Sequence, residues 1–377
     1  MIGAFSNLIV SLFVIRTQSA TLWGEVVYFI LLVDLGFSMI NWGQTPYLVR
    51  EFSMHPKRIQ IEIFKSFLSR SWLLILFIIT TLLFTKPLLF SIIAVWCAAR
   101  FIYQSFDALT LFERNFKFSI CVELVGIAVI IVPVSFSWIE ANVVNILYLY
   151  AMSFLFKTLA AVVFYRKIIS TLRERFAVPK LHDFFIPAFP FFLLTVSAMI
   201  QQRADLYVVA FNLTPEETAR YQVFLNLLIF NQTCASFILS PFSKNIFRLP
   251  PKTLAKLEAK FAAAGFFLSL FSLLFIYLAV TYIYRLNFPN AMYGIGYFYV
   301  LLFYFYQIKN YELGKAYKQT TVAIYSFAAC AVNLIVSILL TPAFGIEGAL
   351  IAGLASQVFL VMLYHKEKIL SIAYANR

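Results

Sequence analysis

Five ionisable side chains stand where the sequence is otherwise apolar. They are Asp34 in YFILLVDLGFSMI, Arg100 in AVWCAARFIY, Lys157 in YAMSFLFKTLAAV, and Arg203 and Asp205 in MIQQRADLYVVAF. An ionised group in hydrocarbon costs about 2.5–3.5 kcal/mol even on a lenient insertion scale, so each must face protein and find a partner or a ligand. Two roles fit. Asp34 and Asp205 can neutralise the cations and pin helices together. Alternatively, Arg100, Lys157 and Arg203 can line a water-filled cavity and hold an anionic substrate through charge-assisted hydrogen bonds. Asp34 and Asp205 are then the acids left to take up a proton or a cation.

Polar amides cluster beside the last pair. Gln201 and Asp205 are four residues apart and Gln202 and Asp205 three apart, which places them on one helical face. The next apolar stretch carries Gln222, Asn226, Asn231 and Gln232. We expect Gln202, Asn226 and Asn231 to contact substrate. The competing role is interhelical hydrogen bonding, worth only about 0.6 kcal/mol per contact in a membrane. No cofactor or metal is expected. Cys97, Cys121, Cys234 and Cys330 are scattered without CxxC spacing and suit packing, and His55, His182 and His365 fall at loop edges.

The elements that position these residues follow from composition. Hydrophobic residues make up 62% of the 377 and charged residues 12%, against roughly 25% charged in soluble domains. Mean hydropathy is +0.86. The apolar stretches lack period-2 alternation and are long enough to cross a core of about 30 Å as helices. Twelve spans are expected, near 2–22, 24–48, 71–85, 88–112, 119–138, 144–165, 183–211, 218–242, 261–283, 291–308, 319–341 and 346–364. The first is the weakest, being strongly apolar only over Ile2–Ile15. Arg100 lies twelve residues beyond Leu88, roughly 18 Å along its helix, and Lys157 nine before Arg166, roughly 13 Å.

Charge orients the bundle. With the N-terminus in the cytoplasm, most of the 30 lysines and arginines fall on inner loops, Arg50 to Arg70 in the first and Arg166 to Lys180 in the third. Only Arg16, Lys86, Arg220 and Arg285 lie near the other side. This bias obeys the positive-inside rule and places both termini inside. The net charge of +13 is therefore topology, and no nucleic-acid partner is expected. The outer loops are all short. The third inner loop divides the chain into a first six-helix lobe over 1–168, a linker over 169–182, and a second lobe with its tail over 183–377. Such a parallel repeat suits a transporter built around a central cavity. Pro187 and Pro190 interrupt the start of the seventh span, and Pro133 is expected deep within the fifth.

Three stretches carry a family resemblance. WGEVVYFILLVDLGFSMINWGQTPYLVREFSMHPKR (23–58) resembles the second helix and following inner loop of Wzx-type polysaccharide flippases, within the multidrug/oligosaccharidyl-lipid/polysaccharide exporter superfamily. IPAFPFFLLTVSAMIQQRADLYVVAFNLTPEETARYQVF (186–224) is similar to that family's seventh helix, with its leading proline and buried Asp. AVNLIVSILLTPAFGIEGALIAGLASQ (331–357) resembles its penultimate hairpin.

The resemblance implies an all-α polytopic bundle of about twelve transmembrane helices in two six-helix lobes, arranged in the MATE-like manner. It implies a transporter rather than an enzyme, in a bacterial inner membrane. The cargo would be an undecaprenyl-pyrophosphate-linked oligosaccharide, flipped by ion-coupled alternating access for O-antigen, capsule or exopolysaccharide assembly. Membrane lipids, the coupling ion and the polysaccharide polymerase machinery are the other implied partners. Arg100, Lys157 and Arg203 are the residues here that could hold the pyrophosphate.

Two alternatives stand beside it. A multidrug exporter of the same fold would favour acids over bases around its cationic cargo, whereas three buried cations face two acids. A polysaccharide polymerase or glycosyltransferase would want carboxylates or histidines in a sizeable outer loop, and Glu216–Glu217 in NLTPEET suit an exposed helix start instead. A lipid II flippase would need two more helices.

Overall fold

The computed structural model describes residues 2–84, 86–136, 138–172, 182–239, 242, 246, 249–315 and 319–375. Among them there is no strand. The helices are α1 Ile2–Thr17, α2 Ala20–Asn41, α3 Gln44–Met54, α4 Ile59–Phe84, α5 Pro87–Gln104, α6 Asp107–Phe112, α7 Phe116–Ser135, α8 Val143–Phe164 and α9 Arg166–Leu172. Beyond these lie α10 His182–Asn212, α11 Pro215–Leu239, α12 Pro251–Leu278 with a π-helical extension Ala279–Tyr284, α13 Asn290–Lys315 and α14 Gln319–Ala375.

Local chemistry sets several of these boundaries. Pro87 sits in the first turn of α5, where its missing N–H costs nothing. The Asn142 side chain accepts from Asn145 N at 2.9 Å and starts α8. Thr214 and Glu217 cap α11 reciprocally: Thr214 Oγ1 accepts from Glu217 N at 3.3 Å and Glu217 Oε2 from Thr214 N at 3.2 Å. The NLTPEET acids are thus a helix start, as their pattern suggested.

Among the described residues, nine helical stretches are long and apolar enough to cross a membrane, and the protein is a multi-pass membrane protein. Each of the twelve expected spans overlaps a helix among the described residues. Thr320–Lys366 is 47 residues long, about 70 Å of helix, and breaks at Gly345 (φ 58°, ψ −139°), so it accounts for two spans. The other two additions are the short α1 and the 25-residue α11.

Three boundaries differ from expectation. The third span begins at Ile59, not 71, so Lys65 and Arg70 are helical. The second is broken at Trp42 (φ 45°) and Gly43 (φ 65°), which separate α2 from α3. Pro133 lies two residues from the end of α7, where it stops the helix rather than kinking its middle.

The chain forms two compact units: Met1–Gln18 with Glu25–Val196, and Ser19–Gly24 with Ser197–Arg377. The change of unit falls within α10, later in the chain than the 169–182 segment, most of which lies outside the described residues. In the first unit α5 packs along α8, α7 along α8, and α1 against α7. Its aromatic cluster gathers Tyr47, Phe52, Tyr103, Phe106, Tyr165 and Phe184. The Trp42 ring stacks on Phe192 with centroids 4.0 Å apart. In the second unit α13 packs against α12, α14 and α11, with Tyr306, Leu313, Ala329, Leu360 and Tyr364 buried together.

Candidate functional site

The first unit buries a network of ion pairs drawn from four helices. α2 presents Asp34 and α5 presents Arg100, whose Nη1 donates to Asp34 Oδ1 at 2.6 Å. α8 presents Lys157, whose Nζ donates to Glu123 Oε2 of α7 at 2.7 Å. Both pairs are largely withdrawn from solvent, Lys157 most of all, at 6% side-chain exposure. Phe154 joins them: its ring centre lies 5.7 Å from Arg100 Cζ and 4.7 Å from Lys157 Nζ. Arg100 also sits 4.6 Å from the Phe37 ring centre. These contacts are cation–π in geometry and strengthen where water is excluded.

The surrounding backbone is shaped to admit the lysine. A Cβ at Gly126 would lie 2.2 Å from Lys157 Cε, so only glycine leaves the stem its path. Ser153 Oγ donates to the Gly126 carbonyl at 2.9 Å and holds α7 and α8 together at that point. Thr158 Oγ1 donates to the Ala99 carbonyl at 2.6 Å and fixes α8 against α5. The Tyr103 hydroxyl donates to Glu123 Oε1 at 3.3 Å.

The structure places Asp34, Arg100 and Lys157 in one network, and two further members of it were not singled out from sequence. Glu123 is one. It stands seven residues after the start of α7, and Lys157 seven before the end of the antiparallel α8. That equal depth was a readable signal. Arg70 is the other. Assigned to an inner loop, it proves to be wholly buried in mid-α4. Its Nε donates to Ser66 Oγ at 3.2 Å and its Nη2 to Ser105 Oγ at 3.0 Å, and its guanidinium lies 4.9 Å from the Phe101 ring centre. Asp107 of α6 lies close enough to feel the charges of Glu123, Arg100 and Arg70. With Glu123 and Asp107 included, acids and bases balance inside, and the excess of cations inferred from sequence disappears.

Asp205 anchors a separate set in the second unit. It is fully buried and accepts from the Tyr221 hydroxyl at 2.5 Å and from Leu206 N at 2.9 Å. Gly353 faces it so closely that a Cβ there would lie 3.0 Å from Oδ2. The expected amide face is only partly realised. Gln201 is buried and its carbonyl accepts from Asn333 Nδ2 at 3.4 Å, but Gln202 is exposed. Four residues turn a helix by 400°, three by 300°, so the two glutamines fall on opposite sides of Asp205. Asn231 is spent on its own helix, donating to the Leu227 carbonyl at 2.8 Å. Gln222 accepts from Trp23 Nε1 at 2.8 Å, and Gln232 donates to the Tyr299 carbonyl at 3.2 Å. These are structural bonds. Asn226 is half-buried with an unpartnered Nδ2, and Arg203 is half-buried within reach of the Asp205 charge.

Tyr221→Phe removes the hydroxyl that donates to Asp205 while keeping the ring. Leaving a buried charged acceptor short of a partner costs about 1–3 kcal/mol, so the variant should unfold at a measurably lower temperature in a detergent thermal melt. A melt unchanged from wild type would show that Asp205 has no need of this donor.

No protein-family model matches the chain, and neither does any curated protein. Among solved structures it is similar to "Lipid II flippase MurJ, inward closed conformation", with a TM-score of 0.67 at 13% identity, over 96% of this chain and 84% of that one. At that identity the likeness is one of fold.

Proposed function

We propose that this chain is a Wzx-type flippase, carrying an undecaprenyl-pyrophosphate-linked oligosaccharide from the inner to the outer leaflet of a bacterial inner membrane. The observation that carries this reading is the placement of Arg100 and Lys157 at the same ring, 5.7 and 4.7 Å from the Phe154 centre, each held by a carboxylate. Replacing a buried ion pair with apolar side chains is often neutral or stabilising. Two such pairs on four helices therefore ask for a purpose beyond stability. A pyrophosphate, with two or three charges spread over adjacent phosphates, offers acceptors to two cations at once. Asp34 and Glu123 then act as placeholders that keep both cations charged and oriented until the phosphate takes their bonds. Arg100 also keeps its Nε donor buried and unpartnered, a hydrogen bond in reserve for an acceptor-rich ligand.

The fold supports the reading, since the similar solved structure is titled a flippase of a lipid. Ion-coupled alternating access by two lobes, with divisions near 169–182, both termini cytoplasmic, and Asp34 or Asp205 carrying a proton or sodium ion, belongs to the same proposal. So do the polymerase machinery as partner and the transport, rather than enzymatic, role. The multidrug-exporter reading is no longer opposed by net charge, because acids and bases balance. It is opposed by the character of the network, in which cations with donors to spare would repel a cationic drug.

Deleting the gene in its host and quantifying lipid-linked oligosaccharide by leaflet tests the proposal. Complete repeat units should accumulate on the cytoplasmic leaflet while surface polymer falls. Accumulation of lipid II instead would assign that lipid as cargo, and unchanged polysaccharide and lipid pools would overturn the flippase reading.

A further inference from the structure

In the second unit, the hairpin of α12 and α13 is closed at one level and open at another. A Cβ at Gly265 would lie 2.5 Å from the Tyr304 side chain, so the two helices touch there as closely as glycine permits. Nearer the hairpin end, a Cβ at Gly294 would meet nothing within 4 Å. Between these levels lies a groove of about 780 Å³, walled by Phe267, Leu270, Phe271, Leu274 and Tyr277 and ending at Asn290. A local cause is at hand. The last turn of α12 passes into the π-helical segment Ala279–Tyr284, which is wider than an α-turn, and Arg285 (φ 55°) then reverses the chain.

The groove has an apolar length, and two arginines lie beyond its lining toward the hairpin turn. Phe267 to Tyr277 covers about 15 Å of helix, and Phe267 and Phe271, both 71% exposed, leave it open sideways to the bilayer. Arg285 is exposed at the hairpin turn. Arg220 lies over the Phe288 ring at 5.3 Å and donates to the Asn287 carbonyl, while its Nε is buried without a partner. Phe288 in turn packs on Phe224, which meets the groove residue Tyr293. Tyr297 is three residues beyond Gly294 and so shares its face, and the Tyr297 hydroxyl is buried with no partner.

We propose that this groove binds an anionic glycerophospholipid from the surrounding bilayer. One acyl chain lies along Phe267–Tyr277 and the phosphate meets Arg285 and Arg220. The apolar wall selects a chain over a free anion, the two arginines select an acidic headgroup, and the sideways opening lets the lipid enter without any transport step. The site is independent of the flippase reading.

The test is native mass spectrometry of the full chain released from nanodiscs holding equal amounts of phosphatidylglycerol and phosphatidylcholine. Wild type should retain one phosphatidylglycerol in preference. Gly294→Leu places a side chain in open space, so its melting temperature should hold while lipid retention falls. Arg285→Gln keeps the groove but removes a charged contact, and should cut the preference for phosphatidylglycerol about tenfold. Equal retention of both lipids by wild type, or undiminished retention by Gly294→Leu with its fold intact, would overturn the proposal. Displacement of phosphatidylglycerol by an equal amount of polyprenyl phosphate would also overturn it, by giving the groove to the transported lipid.

Discussion

Lys157→Met is expected to destabilise the protein severely, and Lys157→Met/Glu123→Gln to restore its stability without restoring transport. The single substitution strands the Glu123 carboxylate among α5, α7 and α8 with only the Tyr103 hydroxyl, 3.3 Å away, to answer it. Breaking a buried pair from one side costs about 3–5 kcal/mol, which should lower the unfolding midpoint by on the order of 10 °C. Glutamine at 123 removes the stranded charge, and methionine fills the path over Gly126 that the lysine stem occupies, so the double variant should melt near wild type. Flipping of lipid-linked oligosaccharide into the outer leaflet then separates the two roles of the pair. A stable, inactive double variant is the result expected from the proposed function, in which a phosphate is held by both cations. A stable double variant that transports normally would reduce Lys157 to a structural residue.

Gly43→Ala should prevent the first unit from folding. Gly43 has φ 65°, where a Cβ costs roughly 1–2 kcal/mol. The space is worse than the strain: that Cβ would lie 2.3 Å from Phe192 N and 2.5 Å from Phe191 C. Both are main-chain atoms of α10 and cannot rotate aside. Relieving the clash means moving the α2–α3 joint away from α10, which pulls Trp42 off Phe192 and breaks the bond from Trp42 Nε1 to the Phe185 carbonyl, 3.1 Å long. Expression followed by size-exclusion chromatography should show aggregate in place of the wild-type peak, while Gly294→Ala, in open space, elutes normally. A monodisperse Gly43→Ala peak at the wild-type position would contradict this account.

Length and hydropathy made the helices legible, because hydrocarbon leaves the backbone few alternatives to helix. Charge was harder to read. Lys65 and Arg70 look like loop residues when inner loops are recognised by their cations, yet α4 carries both, and Arg70 is buried because Ser66 and Ser105 meet it from within. Asp34 and Arg100 were recoverable as a pair since each interrupts a long apolar run. Glu123 lies as far from its helix end as Asp34 does from its own, and its cue was the register of α7 against α8 that sets it opposite Lys157. The amides divided for a reason that spacing alone does not contain. Gln222 and Gln232 each found a partner on another helix, Asn231 turned back on its own, and Gln202 faces outward.

The polarity of α11 bears on how the chain is made. A translocon sorts each emerging helix by its affinity for lipid, and α11 arrives with Arg220, Gln222, Asn226, Asn231 and Gln232. Its long-range partners are made at very different times. Trp23, which donates to Gln222, leaves the ribosome long before α11, whereas Tyr299, whose carbonyl accepts from Gln232, is synthesised well after it. The bond from Gln232 can therefore form only once α13 has been made. The polar groups of α11 are satisfied in two instalments, one by a residue translated before it and one by a helix translated after it.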